Sequence, residues 1–324
     1  KHTTTLKNFK SASFPNREFA IKILYKLSND PEAIEDIESL LSIKELADIL
    51  KENEKNYLIK NLVNFAEKEE KNTSNMAANI LADLYGNNNF IKKNEKKEIY
   101  YLKLAADKGD YISAINLGWL YFEIDEFDKS RKYMMQGVKT EDPYLRAYAY
   151  NNFGVLEHYS NNNTQEAIKN YLKAVDIIEK YNYDISWPYE NLIREYYMPG
   201  KDQDIWRAKF YQTKVNKKDS DNFALKFLLN TFPNKAPSSV NEMEELLAFA
   251  ALSGHDDAYV ELNWLHSQSP AKAYQWAYIC SFVCKHEADR DRSKSDMKKY
   301  LRKITLSEKT KAIEKAIEFN NTQI

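Results

Sequence analysis

The segment AADKGDYISAINLGWL, residues 105–120, is matched by AALSGHDDAYVELNWL, residues 250–265. Each segment begins with two alanines, has glycine as its fifth residue and closes on Leu-x-Trp-Leu. The two copies are 145 residues apart, from 105 to 250, which is close to four units of 36. Self-similarity with a period of about 20 to 50 residues indicates stacked supersecondary units. We therefore expect a repeat protein, a class whose surfaces commonly bind other macromolecules.

A period of 36 residues is visible around the first copy. Three pairs made of a large apolar residue and a small one recur at this spacing: Leu81-Ala82, Leu117-Gly118 and Phe153-Gly154. Tyr85 recurs as Tyr121 at the same step. Small residues let a paired helix approach closely, while leucine and tyrosine fill the layer between helices. The pattern predicts consecutive helix–turn–helix units.

The composition supports an all-α class and excludes several others. Hydrophobic residues make up 43% and aromatic residues 13% of the 324 positions, too much apolar material for a disordered chain. Only 7 glycines and 8 prolines are present, which suits long helices. The 47 basic and 48 acidic residues give a net charge of −1, so general nucleic-acid binding is disfavoured. No apolar run reaches the roughly 18 to 20 residues that span a bilayer.

The repeated motifs resemble the Sel1-like repeat, a relative of the tetratricopeptide repeat. The first stretch of matching positions is Ala78, Leu81-Ala82, Tyr85, Tyr101, Ala105-Ala106 and Gly109. The second is Ala250-Ala251, Gly254, Ala258, Leu262 and Lys272-Ala273-Tyr274. The resemblance covers most of residues 75–324, although Glu157 stands where the motif has tyrosine. It implies a right-handed α/α superhelix, or solenoid, of about six helix pairs.

We divide the chain into four segments on these patterns. Residues 1–74 are expected to form an irregular helical region or cap, in which Asp30-Pro31-Glu32 opens a helix. Sel1-like repeats occupy residues 75–181, with asparagine-rich turns at 87–89 and 161–163. Residues 182–241 are interpreted as degenerate helical repeats with a bend. Residues 242–324 hold a further repeat and a C-terminal capping helix, which opens with a capping box from Thr305 to Glu308.

The residues that could carry chemistry form no recognisable catalytic or metal-binding set. Cys280 and Cys284 lie four apart in a helical pattern, a spacing that we consider poor for a disulfide. With His286 they supply too few ligands for a structural zinc site, so we interpret both as small apolar core residues. The histidines lie in no metal or nucleophile motif: His2, His158, His255 and His266. We therefore expect neither enzymatic activity nor a cofactor.

Aromatic residues are the candidates for partner contact. Trp119 and Trp264 occupy the same position in the two copies, and Tyr159 occupies the position of Glu123 one repeat on. Such positions face the inner side of related repeats, although packing between helices explains them equally well. Residues 181–197 are unusually rich in aromatics: Tyr181, Tyr183, Trp187, Tyr189, Tyr196 and Tyr197. We expect substitution of Tyr189 or Tyr197 to weaken partner capture without unfolding the chain.

The resemblance implies protein binding without catalysis, and it leaves two roles open. Sel1-like proteins of bacteria include immunity proteins that neutralise interbacterial toxins, which is the role we favour. They also include adaptors in envelope maintenance or signalling. An enzyme is the remote alternative. The chain opens at Lys1, so either a cleaved leader or a trimmed start is open, and we expect a periplasmic or cytoplasmic protein, with a slight preference for the periplasm.

Overall fold

The structure is a computed structural model that describes residues 34, 50–68, 71–86, 91–161, 163–215, 223–233 and 236–321. Within these ranges the chain forms 15 helices and no strand, so the all-α class is confirmed. The predicted helix start at Asp30 and the turn at 87–89 lie outside the described residues. None of the described helices is long and apolar enough to cross a membrane.

The described helices fall into two compact units. The first comprises the described residues up to Phe122 together with Asp128–Thr140, and the second comprises Glu123–Phe127 and the described residues from Glu141 onward. The first five helices are α1 (Glu52–Lys68), α2 (Lys71–Gly86), α3 (Glu95–Asp107), α4 (Tyr111–Glu123) and α5 (Phe127–Gly137).

The second unit contains the remaining ten helices. They are α6 (Pro143–Asn161), α7 (Thr164–Tyr181), α8 (Trp187–Tyr197), α9 (Ile205–Lys214), α10 (Phe223–Thr231), α11 (Val240–Leu252), α12 (Ala258–Leu265), α13 (Pro270–Val283), α14 (Glu287–Leu301) and α15 (Leu306–Asn321). Most packing joins helices that follow each other in sequence, as expected for helix-pair repeats. The four-segment division made from the sequence stays a prediction.

The two copies of the repeated segment form the same type of helix C-terminus. In the first copy, the Asp110 amide donates to the Ala105 carbonyl at 3.0 Å and the Gly109 amide to the Ala106 carbonyl at 2.9 Å. The second copy has the same two bonds, from His255 to Ala250 at 3.1 Å and from Gly254 to Ala251 at 3.0 Å. This pair of bonds defines a Schellman motif, which needs a residue with positive φ. Glycine provides it in both copies, with φ of 88° and 93°.

Two other repeat glycines allow close approach between helices. A Cβ atom on Gly118 of α4 would lie 2.7 Å from Met134 Cγ and 3.1 Å from its backbone nitrogen. A Cβ atom on Gly154 of α6 would lie 2.4 Å from the ring of Tyr171. These contacts explain why the small member of the 36-residue pairs is glycine here. The predicted core residues Tyr85, Tyr101, Tyr121 and Trp276 are all buried, which confirms that part of the pattern.

The chain's last described helix begins with the predicted capping box. The Thr305 amide donates to Glu308 Oε2 at 2.7 Å, and the Glu308 amide donates back to Thr305 Oγ1 at 3.3 Å. These reciprocal bonds satisfy amides that have no partner within the helix. The helix then packs on α13 through a cluster that includes Tyr274, Tyr300 and Ala312.

The prediction that the cysteines are poorly spaced for a disulfide is wrong, because Cys280 and Cys284 form one; both are buried in the core, as predicted. Their Cα atoms are 4.8 Å apart, within the usual range of about 4.4–6.8 Å for bridged cysteines. Helix α13 ends at Val283, and Cys284 has an extended backbone with φ −62° and ψ 133°. The second cysteine is therefore not held in helical geometry, which the four-residue spacing had suggested. Both sulfur atoms are consumed by the bridge and are not available as metal ligands.

Candidate protein-interaction surface

Five aromatic rings lie at the surface of the second unit, on α6 and on the segment from the end of α7 to the start of α8. Tyr144 and Tyr148 lie one turn apart on α6, while Tyr181 ends α7, Tyr183 lies in the following loop and Trp187 begins α8. The first three are 48%, 37% and 43% exposed, and the other two are half-buried. We call these five residues the aromatic surface.

Ring contacts join the members of the aromatic surface into two groups, one of three rings and one of two. Tyr144 meets Tyr183 with ring centroids 5.8 Å apart and an interplanar angle of 84°. Tyr148 meets Trp187 at 5.8 Å and 76°. Tyr181 stacks on Tyr183 at 5.8 Å and 15°. Edge-to-face and offset stacking are favourable geometries for aromatic pairs, so the rings support one another while exposed area remains.

A helix N-cap and a left-handed turn residue position these rings. Asp142 accepts a hydrogen bond from the Leu145 amide at 3.0 Å, which fixes the start of α6 just before Tyr144. At the other end, Asn182 takes the left-handed conformation with φ 54° and ends α7. The Tyr183 amide then donates to the Ile178 carbonyl at 3.0 Å. This bond has the same spacing as the Asp110–Ala105 bond at the end of the first repeated segment. Asparagine tolerates this conformation, so the chain turns and brings Tyr183 beside α6.

The structure separates the aromatic-rich tract into an exposed part and a buried part. Trp187 belongs to the aromatic surface, whereas Tyr189, Tyr196 and Tyr197 are buried. The Tyr196 ring stacks on Tyr211 of α9 at 5.9 Å. Tyr197 has no exposed area, and burial raises its pKa to about 12, with a smaller contribution from Glu242. Because Tyr189 and Tyr197 are buried, we no longer expect their substitution to leave the fold intact; burial favours the packing alternative for both.

Trp264 is the centre of a different, enclosed group of side chains. Only 7% of it is exposed. Its ring lies 4.3 Å from the His158 ring and 4.7 Å from the Tyr159 ring, and the Arg194 guanidinium lies 4.4 Å from its centroid. We call Trp264, His158, Tyr159, Arg194 and its partner Glu261 the Trp264 cluster. Burial favours the packing alternative for Trp264 as well.

A buried, hydrogen-bonded ion pair lies within the Trp264 cluster. Arg194 Nε and Nη2 donate to the two carboxylate oxygens of Glu261, each at 2.6 Å. Arg194 Nη1 donates to Asn191 at 2.6 Å. Burial alone lowers the pKa of Arg194, but the Glu261 carboxylate outweighs burial and raises it. Both charges are matched in a bidentate pair, so this carboxylate is engaged structurally and is not available as a base.

A second buried pair lies beside the first. His158 Nδ1 is 2.9 Å from Glu195 Oε1, with both side chains mostly enclosed. Burial raises the pKa of the neighbouring Tyr159 hydroxyl, and the charge of Asp296 adds to this effect. The cluster thus links α6, α8 and α12 of the second unit through polar contacts. In the described part of the chain, no group of three His, Cys, Asp or Glu side chains is arranged to hold a metal ion.

The remaining predicted contact residues lie elsewhere. Trp119 on α4 is half-buried against Phe122, with ring centroids 5.1 Å apart. Glu123 is exposed at the end of α4. The partner-binding role of Trp119 and Glu123 stays a prediction.

Sequence reasoning missed Tyr144 and Tyr148 as candidates. Their signal was present, since PYLRAYAY places two tyrosines four residues apart at the start of a helix. Tyr181 and Tyr183 were recognised in the tract but were not chosen as sites. The spacing did not reveal which ring each tyrosine contacts. Tyr144 contacts Tyr183 and Tyr148 contacts Trp187, and in both pairs the partner lies 39 residues further along the chain.

Similarity to known proteins is found among solved structures. No protein-family model and no curated protein matches the chain. The chain is similar to the crystal structure of a protective antigen present in uropathogenic Escherichia coli strains, described as displaying an SLR, or Sel1-like repeat, fold. The sequence identity is 15% and the TM-score 0.42. The similarity covers 89% of this chain, which spans 64% of the length of that structure.

Proposed function

We propose that this chain is a non-catalytic repeat protein that binds another protein through the aromatic surface. The observation that carries the proposal is the set of five rings in the aromatic surface, three of which are at least 37% exposed. Tyrosine and tryptophan are favoured interface anchors because they provide much contact area for little loss of entropy. Large exposed apolar patches often mark protein-interaction sites.

Within this class we propose toxin neutralisation as the specific role. Exposed aromatic rings grouped on one unit suit a single dedicated partner, and the near-neutral charge of the chain gives no support to a nucleic-acid partner. Co-expression with the product of the neighbouring gene tests this role. Rescue of growth from a toxic neighbour supports it, whereas a harmless neighbour that still binds supports an adaptor in the envelope or in signalling.

The interface is tested with matched tyrosine variants. Tyr144→Ala combined with Tyr181→Ala removes two exposed rings of the aromatic surface, and Tyr100→Ala removes a ring that is 51% exposed in the first unit. We expect the double variant to weaken binding of the neighbouring gene product by at least tenfold in calorimetry, and the Tyr100 variant to bind as the parent does. Equal weakening by both variants would contradict the assignment.

We also propose an oxidising compartment, with the periplasm as first choice. The Cys280–Cys284 disulfide supports it, since disulfides persist in such compartments and are rare in the cytosol. Thiol alkylation of the protein from fractionated cells, before and after reduction, measures the state of the pair. Free thiols in freshly isolated protein would contradict this proposal.

A further inference from the structure

We propose that helix α9 docks the second unit reversibly on the surface of a membrane that contains anionic lipids. Trp206 and Phe210 enter the headgroup region, and Arg207, Lys209 and Lys214 contact the headgroups. We call these five residues the α9 face. The inference goes beyond the proposed function, because the α9 face shares no residue with the aromatic surface and concerns a different partner.

Trp206 and Phe210 are the exposed rings of α9. Trp206 is 73% exposed and Phe210 is 54% exposed. The other four tryptophans of the chain are buried or half-buried. Exposed apolar area is unfavourable in water, whereas the amphipathic ring of tryptophan is favoured at the boundary between water and lipid. The exposure of these two rings therefore indicates a second environment for the helix.

The opposite side of α9 holds the helix on its neighbour. Ala208 is fully buried, and Tyr211 stacks on Tyr196 of α8 with ring centroids 5.9 Å apart. At about 100° of rotation per residue, Trp206 and Phe210 each lie about 160° from Ala208 and about 40° from one another. Packing on α8 thus leaves both rings on the outermost line of the helix.

Basic side chains lie on both sides of the two rings. The same rotation puts Lys209 on one side of them and Arg207 with Lys214 on the other. The helix sequence IWRAKFYQTK contains these three cations and no acidic residue. The Lys209 ammonium lies 5.0 Å from the Trp206 ring centroid and makes no ion pair within the described part of the chain. The Lys214 ammonium lies 5.4 Å from the Phe210 centroid, so rings and charges form one surface, as in helices that lie in a membrane interface.

The other two cations have partners that a lipid headgroup can replace. Arg207 Nε is 3.4 Å from Asp204, and Arg207 Nη1 donates to the Tyr196 hydroxyl at 3.3 Å. The Lys214 ammonium is 3.0 Å from Glu179. All four charged side chains are more than a third exposed, and ion pairs of this kind contribute little and are screened by salt. Their cations are therefore available to anionic headgroups.

A lipid surface fits the α9 face better than a second protein does. A specific protein interface covers about 800 Å² on each partner, whereas one buried aromatic side chain accounts for about 150–250 Å². A helix of ten residues with two exposed rings presents too little area for a stable protein contact on its own. A membrane requires no complementary shape, and each interfacial ring and each cation near anionic headgroups adds to binding.

The test uses the full chain and unilamellar vesicles, either of phosphatidylcholine alone or of phosphatidylcholine and phosphatidylglycerol in equal parts. Co-sedimentation measures binding, and a shift of tryptophan emission to shorter wavelength reports that a ring has left water. We expect binding to the anionic vesicles to be at least tenfold tighter than to the neutral ones and to weaken in high salt. Equal binding to both compositions, or binding to neither, would overturn the inference.

Variants connect this binding to the α9 face. Trp206→Ala combined with Phe210→Ala should weaken binding to the anionic vesicles at least tenfold, because the apolar area that enters the interface is lost. Lys209→Gln combined with Lys214→Gln keeps the rings, and it should weaken binding severalfold and reduce its dependence on salt. The control Phe282→Ala removes a ring of α13 that is 70% exposed and should leave binding unchanged. Circular dichroism checks that each variant is folded. Parent-like vesicle binding by both α9 variants would refute the assignment.

This inference and the proposed function fail in different experiments. The α9 variants should bind the neighbouring gene product as the parent does, and the Tyr144, Tyr181 double variant should bind vesicles as the parent does. If vesicle binding is lacking while the neighbouring gene product still binds, the proposed function stands and this inference fails. If the Trp206, Phe210 double variant loses that protein and no vesicle binds, α9 belongs to a protein interface, and the inference fails as well.

Discussion

The aromatic surface and the Trp264 cluster are built from the same kinds of residue, and both lie in the second unit. They differ in what surrounds the rings. In the Trp264 cluster the tryptophan is covered by His158, Tyr159 and a paired arginine, so its aromatic area is used inside the protein. In the aromatic surface the rings contact one another, and Tyr144, Tyr148 and Tyr181 stay 37–48% exposed. A high density of aromatic rings therefore does not by itself identify an interface; the contacts that other side chains make with the rings decide whether they are exposed.

The largest expected effect comes from breaking the charge pair of the Trp264 cluster. Glu261→Ala leaves the Arg194 guanidinium buried without its carboxylate, which should lower the free energy of unfolding by roughly 3–5 kcal/mol. The control is Asp291→Ala, which removes the exposed pair with Lys294 and should cost about 1 kcal/mol or less. Urea denaturation followed by circular dichroism measures both. Similar midpoints for the two variants would show that the cluster does not stabilise the second unit.

The two tyrosine environments are compared directly by truncation. Tyr197→Ala removes a side chain with no exposed area and should lower the free energy of unfolding by about 3–5 kcal/mol, the range for large aromatic core residues. Tyr181→Ala should change it by about 0.5 kcal/mol or less, because that ring is 43% exposed. Thermal and urea unfolding of the two variants test the contrast. A stable Tyr197 variant would mean that this tyrosine is not part of the core.

The stability of the second unit should depend on pH through Asp257, the residue that precedes α12. Burial raises the pKa of this carboxyl from 3.8 to about 7; the Ala224 amide opposes the shift and the Glu261 charge adds to it. The folded chain therefore holds a proton that the unfolded chain has lost, and this contribution to stability is complete below about pH 4 and disappears as the pH rises to about 7.

Asp257→Asn removes that dependence. The asparagine carbonyl can accept the same hydrogen bond from Ala224, which Asp257 accepts at 2.7 Å. At pH 8 the variant should be more stable than the parent, by up to a few kcal/mol, and near pH 4 the two should be alike. Urea unfolding of both proteins at several pH values gives the difference between their free energies of unfolding. The contributions of the other titrating groups cancel in this difference. An identical pH profile for the two proteins would contradict the assignment.

Reduction of the disulfide should have a modest effect. The bridge closes a loop of only a few residues, for which loop entropy contributes about 2 kcal/mol. A reducing agent should therefore lower the unfolding temperature modestly and leave binding at the aromatic surface unchanged. The Cys280→Ala, Cys284→Ala double variant should reproduce the reduced state and become insensitive to the reagent.

Much of the fold could be predicted from the sequence, because local backbone conformation or packing determines the residue type at each repeat position. The glycines at 109 and 254 are required by their positive φ, and the adjoining alanines by close packing. The end of α13 could not be predicted in this way, since neither glycine nor proline marks Val283, and the disulfide was missed as a result.

The candidate site was predictable only in part. Composition singled out the aromatic-rich tract around Trp187, but helical spacing assigns a side chain to a face and does not say what covers that face. Tyr196 is covered by Tyr211 from the next helix, whereas Trp187 meets Tyr148 and remains half-exposed. These outcomes depend on ring contacts between helices, which no local pattern in the sequence encodes.

The Arg194–Glu261 pair has a consequence for how the second unit unfolds. In an ideal linear repeat array each unit touches only its neighbours, so the array can melt from one end, unit by unit. Here a bidentate bond joins residues 67 positions apart, and the Gln268 side chain donates to the Tyr159 carbonyl across 109 positions. Such distant links couple helices that a nearest-neighbour scheme treats as independent. The second unit should accordingly melt in a single cooperative transition, and its folding should be slowed by the long loops that must close first.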